Sequence, residues 1–432
     1  MFRMAFTDEH VRGLESAVPI GQVTCRTAFK VRYEESLGKG VHRRQRSVAA
    51  RLQHLSAEHC VTMSEARRLA VLISFSGAGG VERMVLNLIE GIAARGVAVD
   101  LLAIRADSAH LGELPQGVRL LDLGVRHSAL AVLPLVRYLR RQRPDALLVA
   151  KDRAIRAAAL ARRLAGWRGR LVGRLGTNLT AALGEHSAVA RWLRTAPMRV
   201  LYRGVDQIVA VSEGVAEDTR RITGLPARRV VVVRNPVVTP QLADLAAAPS
   251  PHPWLDRPGL PVILGAGRLT EQKDFATLLR AFALVQAERP SRLLILGEGR
   301  LRGPLETLAG ELGVSGQVAL PGFSPNPYAW IARAALFVLS SAWEGSPNVL
   351  TEALALGIPA VATDCPSGPR ELLAGGRYGP LVAVGDHAGL AAAMLATLDA
   401  PLPAATLREA VADYTVEAAA QGYLAALGLV ES

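Results

Sequence analysis

Arg268 and Lys273 stand five residues apart in Gly265-Ala-Gly-Arg-Leu-Thr-Glu-Gln-Lys-Asp274, in a turn that follows an apolar run. A guanidinium can fork onto a phosphate through two parallel hydrogen bonds, and a nearby ammonium adds a compact second charge. Further along, Glu344 and Glu352 lie eight apart in Trp343-Glu-Gly-Ser-Pro-Asn-Val-Leu-Thr-Glu352. A helix is expected to begin near Pro347, where proline presets the entry angle and unbonded N–H groups face a cleft. Glu352, about a turn inside, suits two neighbouring hydroxyls of a ribose, and Glu344 suits the hydroxyls of a sugar. Each feature alone also has a plain structural explanation: solvated cations in a loop, and acids that stabilise a first helical turn.

Other phosphate chemistries are disfavoured. Ser76-Gly-Ala-Gly-Gly80, Gly265-Ala-Gly267 and Gly297-Glu-Gly299 each fall short of G-x-G-x-x-G, so a nicotinamide or flavin site is not indicated. The chain has no Walker A lysine motif and no Asp-x-Asp pair to clamp a metal–diphosphate. Phosphate handling then falls to Arg, Lys and helix N-termini, with no metal and no resident cofactor expected.

These groups need a scaffold. Apolar runs at 69–76, 97–104, 145–150, 170–175, 207–211 and 230–234 alternate with helical stripes such as Val81–Arg95 and Ala154–Ala165. This is the pattern of βαβ units on a parallel sheet. A breaker-rich stretch, 241–260, reads as a linker between domains. A second series follows at 261–265, 292–297, 318–320, 336–339, 359–363 and 381–384. The expected fold class is α/β: two Rossmann-like doubly wound domains, 63–240 and 261–432, facing a central cleft. The last helix, about 416–427, is expected to cross back to the first domain. Residues 1–62 carry neither periodicity and include Lys39-Gly-Val-His-Arg-Arg-Gln-Arg46. They read as a disordered or non-native leader ahead of a start at Met63, or as a basic tail.

At 432 residues, half of them hydrophobic and a fifth charged, the chain can bury the cores of two domains. No run approaches the ~18 apolar residues of a membrane span. Three cysteines, Cys25, Cys60 and Cys365, make no closed disulfide set, which fits a reducing cytoplasm. Charge is lopsided: residues 1–240 carry 38 Lys+Arg against 20 Asp+Glu, whereas 241–432 carry 12 against 18. A basic first half suits nucleic acid, an anionic membrane or an anionic substrate. It also fits an arginine-rich composition on solvated helix faces. Few aromatics and no recognition module argue against nucleic acid.

Taken together, Arg268…Lys273, Glu344-x7-Glu352 and Gly357-Ile-Pro-Ala-Val-Ala-Thr-Asp-Cys-Pro-Ser-Gly-Pro-Arg-Glu371 closely resemble the retaining glycosyltransferases of family 4, which have the GT-B fold. Gly79-Gly-Val-Glu-Arg83, Val211–Ala216, Arg234-Asn-Pro236, Gly297-Glu-Gly299 and Leu320-Pro-Gly-Phe323 extend the resemblance along the chain from about Leu69. The resemblance implies a cytoplasmic, metal-independent enzyme that moves a hexose or N-acetylhexosamine unit from a nucleotide diphosphate sugar to an acceptor hydroxyl. The implied acceptor is a lipid-linked glycan in surface polysaccharide assembly, met on the inner face of the plasma membrane. It further implies that Arg268 and Lys273 grip the diphosphate, Glu344 contacts the donor sugar and Glu352 the ribose. Backbone N–H groups of Asn348, Val349 and Leu350 would reach the phosphates, and Gly79 and Gly80 would let backbone approach the reaction centre. Phe323 is expected at the nucleobase or else in the core. Cys365 and Glu371 are expected in a loop that shapes the donor pocket. Where several relatives place a histidine, Val172-Gly-Arg-Leu-Gly-Thr-Asn178 has a glycine, leaving Arg174, Thr177 and Asn178 as candidates for its role. A nucleotide-sugar epimerase of the same fold is the alternative. Alanine at Arg268 or Lys273 is expected to stop turnover without loss of folding.

Overall fold

The computed structural model describes residues 67–75, 80–106, 114–184, 186–256 and 259–430. The expectations for 1–62, Met63 and Gly79 lie outside the described residues. Both sheets belong to one compact unit, Ser64–Ser432.

In the first domain, seven parallel strands run in the order β3-β2-β1-β4-β5-β6-β7. They are β1 (Arg68–Phe75), β2 (Ala98–Ala106), β3 (Val118–Asp122), β4 (Ala146–Ala150), β5 (Arg170–Leu175), β6 (Gln207–Ala210) and β7 (Val230–Val232). Six of these follow the apolar runs of the sequence. The seventh, β3, has no such run because it is an edge strand with Arg119, Leu120 and Asp122 open to solvent. Helix α1 (Gly80–Ala93) covers one face of the sheet, burying Met84, Val85, Leu88, Ile89 and Ile92 at helical spacing. Helices α2 (Val132–Gln142), α3 (Asp152–Ala165), α4 (Ala188–Leu201) and α5 (Glu213–Thr223) cover the other.

The second domain repeats the plan with six strands in the order β10-β9-β8-β11-β12-β13. They are β8 (Val262–Ala266), β9 (Arg292–Leu296), β10 (Val318–Gly322), β11 (Leu336–Leu339), β12 (Ala360–Thr363) and β13 (Leu381–Val382). Among its helices are α6 (Phe275–Glu288), α7 (Arg302–Glu311), α8 (Asn348–Ala355) and α9 (His387–Asp399). The stretch 241–260 is not bare linker, for it holds two short helices, Leu242–Ala247 and Pro253–Asp256.

Two passages tie the halves together. The amides of Val237 and Val238 both donate to the Tyr414 carbonyl at 2.9 Å, so the outgoing and returning chains run side by side. Helix α10 (Val416–Leu427) then packs on α1 and buries Ala420, Tyr423, Leu424 and Leu427 in the first domain's core. Full burial of one such side chain contributes about 1.5–3 kcal/mol, so this helix fastens the chain's end to the opposite domain. In each sheet the winding reverses between two central strands, β1/β4 and β8/β11, and the carboxyl ends of strands there form the natural ligand crevice.

Candidate active site

At the β8/β11 reversal, strand β8 is followed by Gly267 at φ +154°. A side chain there would collide with Lys273, its Cβ lying 2.8 Å from the lysine Cε, so the missing side chain makes room for the lysine stem. The Lys273 ammonium donates to Glu344 Oε1 at 2.6 Å, and Ser341 Oγ donates to the same oxygen at 2.7 Å. Ser340 Oγ fixes the lysine backbone by donating to its carbonyl at 2.8 Å. Glu344 is thereby buried in the loop after β11, and Lys273 is a partnered charge. Arg268, in contrast, is exposed. Cys365 sits close by, and burial together with the Glu344 charge pushes its thiol up to about 12. It fills space as a protonated thiol and is no nucleophile.

Helix α8 begins at Asn348, directly after Pro347. Its first amides, of Asn348 and Val349, have no acceptor within the helix. The Leu350 assignment needs correction: its amide donates to the Pro347 carbonyl at 3.0 Å and its side chain is wholly buried, so it offers no hydrogen to a phosphate. Asn348 Oδ1 accepts from Asn235 Nδ2 at 2.7 Å, and Asn235 Oδ1 accepts from Arg174 at 2.7 Å. Gly80 faces Asn348 Nδ2 across the cleft, but a Cβ there would stand 3.6 Å away, an ordinary contact.

Glu352 is fully buried, yet the partner it meets lies in the other domain. Arg83, on α1, bonds its Oε1 and lies over the Tyr328 ring at 5.2 Å from the centroid. The second carboxylate oxygen, Oε2, is buried with no hydrogen-bond partner among the described residues. Burial raises the Glu352 carboxyl above its usual range despite the opposing charges of Arg83 and Lys273. Phe323 follows Gly322 at the end of β10 and is 55% exposed, which removes it from the core and leaves it as a platform on the surface.

The first domain presents its own cluster at the β1/β4 reversal. Lys151, just after β4, donates to the Ser74 carbonyl at 2.9 Å and lies 3.6 Å from Glu82 Oε1 on α1. Its backbone is at φ +75°, ψ 136°, a conformation that costs a residue with a side chain about 1–3 kcal/mol. The sequence pattern by itself points to no role for Lys151, Glu82, Arg83 or Asn235. One signal was available for Lys151: it is the first charge after the apolar run 146–150.

Of the residues proposed to stand in for a histidine, one bonds across the domain interface, one is buried within the first domain and one is exposed. Arg174 is buried against Asn235. Asn178 accepts from the Ala181 amide at 3.0 Å and donates to Ser367 Oγ at 2.9 Å across the interface. Thr177 is exposed. Gly345, beside Glu344, presses on this loop so closely that a Cβ would lie 2.1 Å from the Gly176 carbonyl oxygen. Only glycine allows this approach. Glu371 also reaches the first domain: it accepts from the Glu213 and Gly214 amides at 2.9 Å each and from Arg234 at 2.7 Å. It caps the first domain's helix α5, where a carboxylate complements the helix dipole.

The comparisons agree with this architecture. Residues 78–240 match the family described as Glycosyltransferase Family 4, and residues 260–400 match Glycosyl transferases group 1. The lipopolysaccharide core biosynthesis glycosyltransferase LpsE of Rhizobium meliloti is 30% identical over 336 residues, covering 74% of this chain and 86% of that protein. An N-acetylgalactosamine-N,N'-diacetylbacillosaminyl-diphospho-undecaprenol 4-alpha-N-acetylgalactosaminyltransferase of Campylobacter jejuni is 34% identical over 185 residues, 43% of this chain and 48% of that protein. Several other curated relatives are likewise matched over half of their own length or less. Among solved structures, HepE of Anabaena in complex with UDP-glucose superposes with a TM-score of 0.67 at 20% identity, covering 84% of this chain and 100% of that one. Two parallel-sheet domains with their strand ends on one cleft, matched by both family descriptions and by a relative along most of its length, make this chain a glycosyltransferase of the GT-B fold belonging to family 4.

Proposed function

We propose that the chain transfers a sugar, with retention at the anomeric carbon, from a nucleotide diphosphate sugar to a hydroxyl of a lipid-linked glycan in surface polysaccharide assembly. The observation that carries the donor half is the gathering of Arg268, Lys273, Glu344, Glu352 and the start of α8 at one strand reversal. Arg268 and the first amides of α8 take the diphosphate. Lys273, now held by Glu344, can turn its charge to the phosphate as the donor's hydroxyls engage Glu344. The unpartnered Glu352 Oε2 is an acceptor ready for a ribose hydroxyl. As the sugar–phosphate bond breaks, negative charge grows on the diphosphate, and preorganised cations there lower the barrier. The departing phosphate takes the acceptor's proton on the same face, so neither an enzymic nucleophile nor a metal is required.

The acceptor half rests on the relatives and on one surface. The Campylobacter relative is named for a diphospho-undecaprenol acceptor, and a lipopolysaccharide core enzyme matches along most of the chain. Helix α4 turns Val189 (67%), Trp192 (63%), Leu193 (60%) and Val200 (64%) to solvent, while Met198 (1%) is buried on the opposite side. Arg191, Arg194 and Arg199 are interleaved with them. Helix α2, on the same face of the sheet and separated from α4 by α3, exposes Leu133, Arg137, Arg140 and Arg141. Apolar side chains set among arginines fit an anionic bilayer, where each cation near the surface contributes about 1 kcal/mol. We assign this face to the inner leaflet of the plasma membrane. Among the described residues no helix is long and apolar enough to cross a membrane.

Two measurements test the reading. A thermal-shift screen of nucleotide diphosphate sugars should find a selective stabiliser, because donor binding adds to folding free energy by mass action. A screen in which no donor shifts melting would remove it. Sedimentation with anionic but not neutral vesicles, abolished in a Trp192→Ser, Leu193→Ser double variant, is expected for the membrane face; equal sedimentation with both lipids would overturn that part.

A further inference from the structure

We propose that Lys151 is a third cation on the departing diphosphate, supplied by the first domain and aimed by Glu82. The inference rests on the donor reading above and extends it to the opposite wall of the cleft. The placement comes first: Lys151 lies at the β1/β4 reversal, the crevice where an open parallel sheet binds ligand. Its ammonium has three hydrogens. One goes to the Ser74 carbonyl at 2.9 Å, and Glu82 Oε1 stands 3.6 Å away to hold the head in place. The side chain remains 40% exposed, so the group is steered without being covered.

The charges around it point to an anion. Burial lowers the lysine's proton affinity, Glu82 opposes this, and Arg174 and Arg268 lower it further. Arg268 belongs to the second domain and is the open cation of the donor site. A cation from each domain is thus felt at Lys151, a positive field that a phosphate carrying growing negative charge would neutralise. The backbone supplies the independent sign. At φ +75° a glycine would be at ease, yet the chain holds a lysine there. Strain of this kind persists where the side chain is used.

In the transfer, the bond between the anomeric carbon and the β-phosphate oxygen breaks, and its electron pair stays on that oxygen. The acceptor oxygen bonds the same carbon, and its proton goes to the phosphate. Lys151 donates a hydrogen bond to the phosphate as this charge appears and keeps its own proton throughout.

The test uses Lys151→Met, Lys151→Gly and Lys151→Arg in the full chain. Turnover, donor and acceptor KM, acceptor-free donor hydrolysis and melting temperature are measured for each. Titration with nucleoside diphosphate and nucleoside monophosphate adds a readout independent of turnover. The Met and Gly variants should lose about 10²-fold in kcat and in donor hydrolysis alike. They should bind the diphosphate about tenfold more weakly and the monophosphate unchanged. Acceptor KM should hold, and Arg should restore most of the loss. Lys151→Gly should melt no lower than wild type because it relieves the backbone. A role confined to structure predicts the reverse, with lower melting and unaltered diphosphate affinity, and would overturn the proposal. So would a raised acceptor KM with donor hydrolysis intact, which would place Lys151 on the acceptor. If wild type itself neither binds nor turns over any nucleotide diphosphate sugar, the donor reading falls and takes this one with it.

Discussion

Each domain places one lysine–glutamate pair at the reversal of its sheet, and the two pairs are built differently. In the second domain Lys273 and Glu344 meet at 2.6 Å, and their side chains are only 15% and 7% exposed. In the first, Lys151 and Glu82 stand 3.6 Å apart, and the lysine is 40% exposed. A tight buried pair satisfies both charges until a ligand separates them. A loose pair beside open solvent fixes direction and leaves charge to spare. The contrast suggests a division of labour, in which the second domain stores its charge in a bonded pair and the first aims a less committed one across the cleft.

The sharpest way to break the comparison is to remove cations from the second domain. On the proposed donor-site roles, Arg268→Ala and Lys273→Ala should each lower kcat by roughly 10²-fold or more, the loss expected of cations that face charge growing in the transition state. Their folding should differ, and here the structure amends the expectation drawn from sequence. Arg268 is exposed and its loss should leave melting unchanged. Lys273→Ala abandons Glu344 in a buried site and should cost about 3 kcal/mol of stability. Calorimetry of the two variants side by side checks this; equal melting would mean that the buried pair does not stabilise the fold.

A smaller effect is expected at Glu352. It should hold a ribose, which is unchanged by the reaction, so Glu352→Ala should raise donor KM by about tenfold while kcat falls far less. Steady-state kinetics with varied donor separates the two. A fall in kcat at constant KM would move Glu352 from binding into the chemical step.

The smallest effect sharpens the first-domain pair through pH. Burial lowers the Lys151 pKa, Glu82 resists, and Arg174 and Arg268 lower it further, so its folded value lies below the ordinary 10.5. For a depressed group the associated stability is complete above the unfolded value and is lost as pH falls through the folded value. Relative to Lys151→Met, wild type should therefore lose melting temperature as pH is brought down from 10.5. A difference that stays flat with pH would show that Lys151 is not depressed.

The sequence alone determined the parallel α/β character, because buried strands must be apolar runs and the helices between them must be striped. Every strand but β3 is legible this way; an exposed edge strand need not be apolar. Arg268, Lys273, Glu344 and Glu352 could be singled out as candidates too, since cations and acids just after strand ends are the residue types that a phosphate and a sugar would need. Only the tertiary structure decided who meets whom. Lys273 and Glu344 are 71 residues apart, and Arg83 and Glu352 are 269 apart. Sequence spacing holds no information on such pairs until the sheets wind and the domains close. The partners of the Leu350 amide and the Glu371 carboxylate were hidden for the same reason. Whether an amide is free or a carboxylate is already engaged depends on neighbours that only the folded chain supplies. Lys151 shows the limit most plainly: a single charge after an apolar run reads as a strand end, and its backbone strain and position at a sheet reversal exist only in three dimensions.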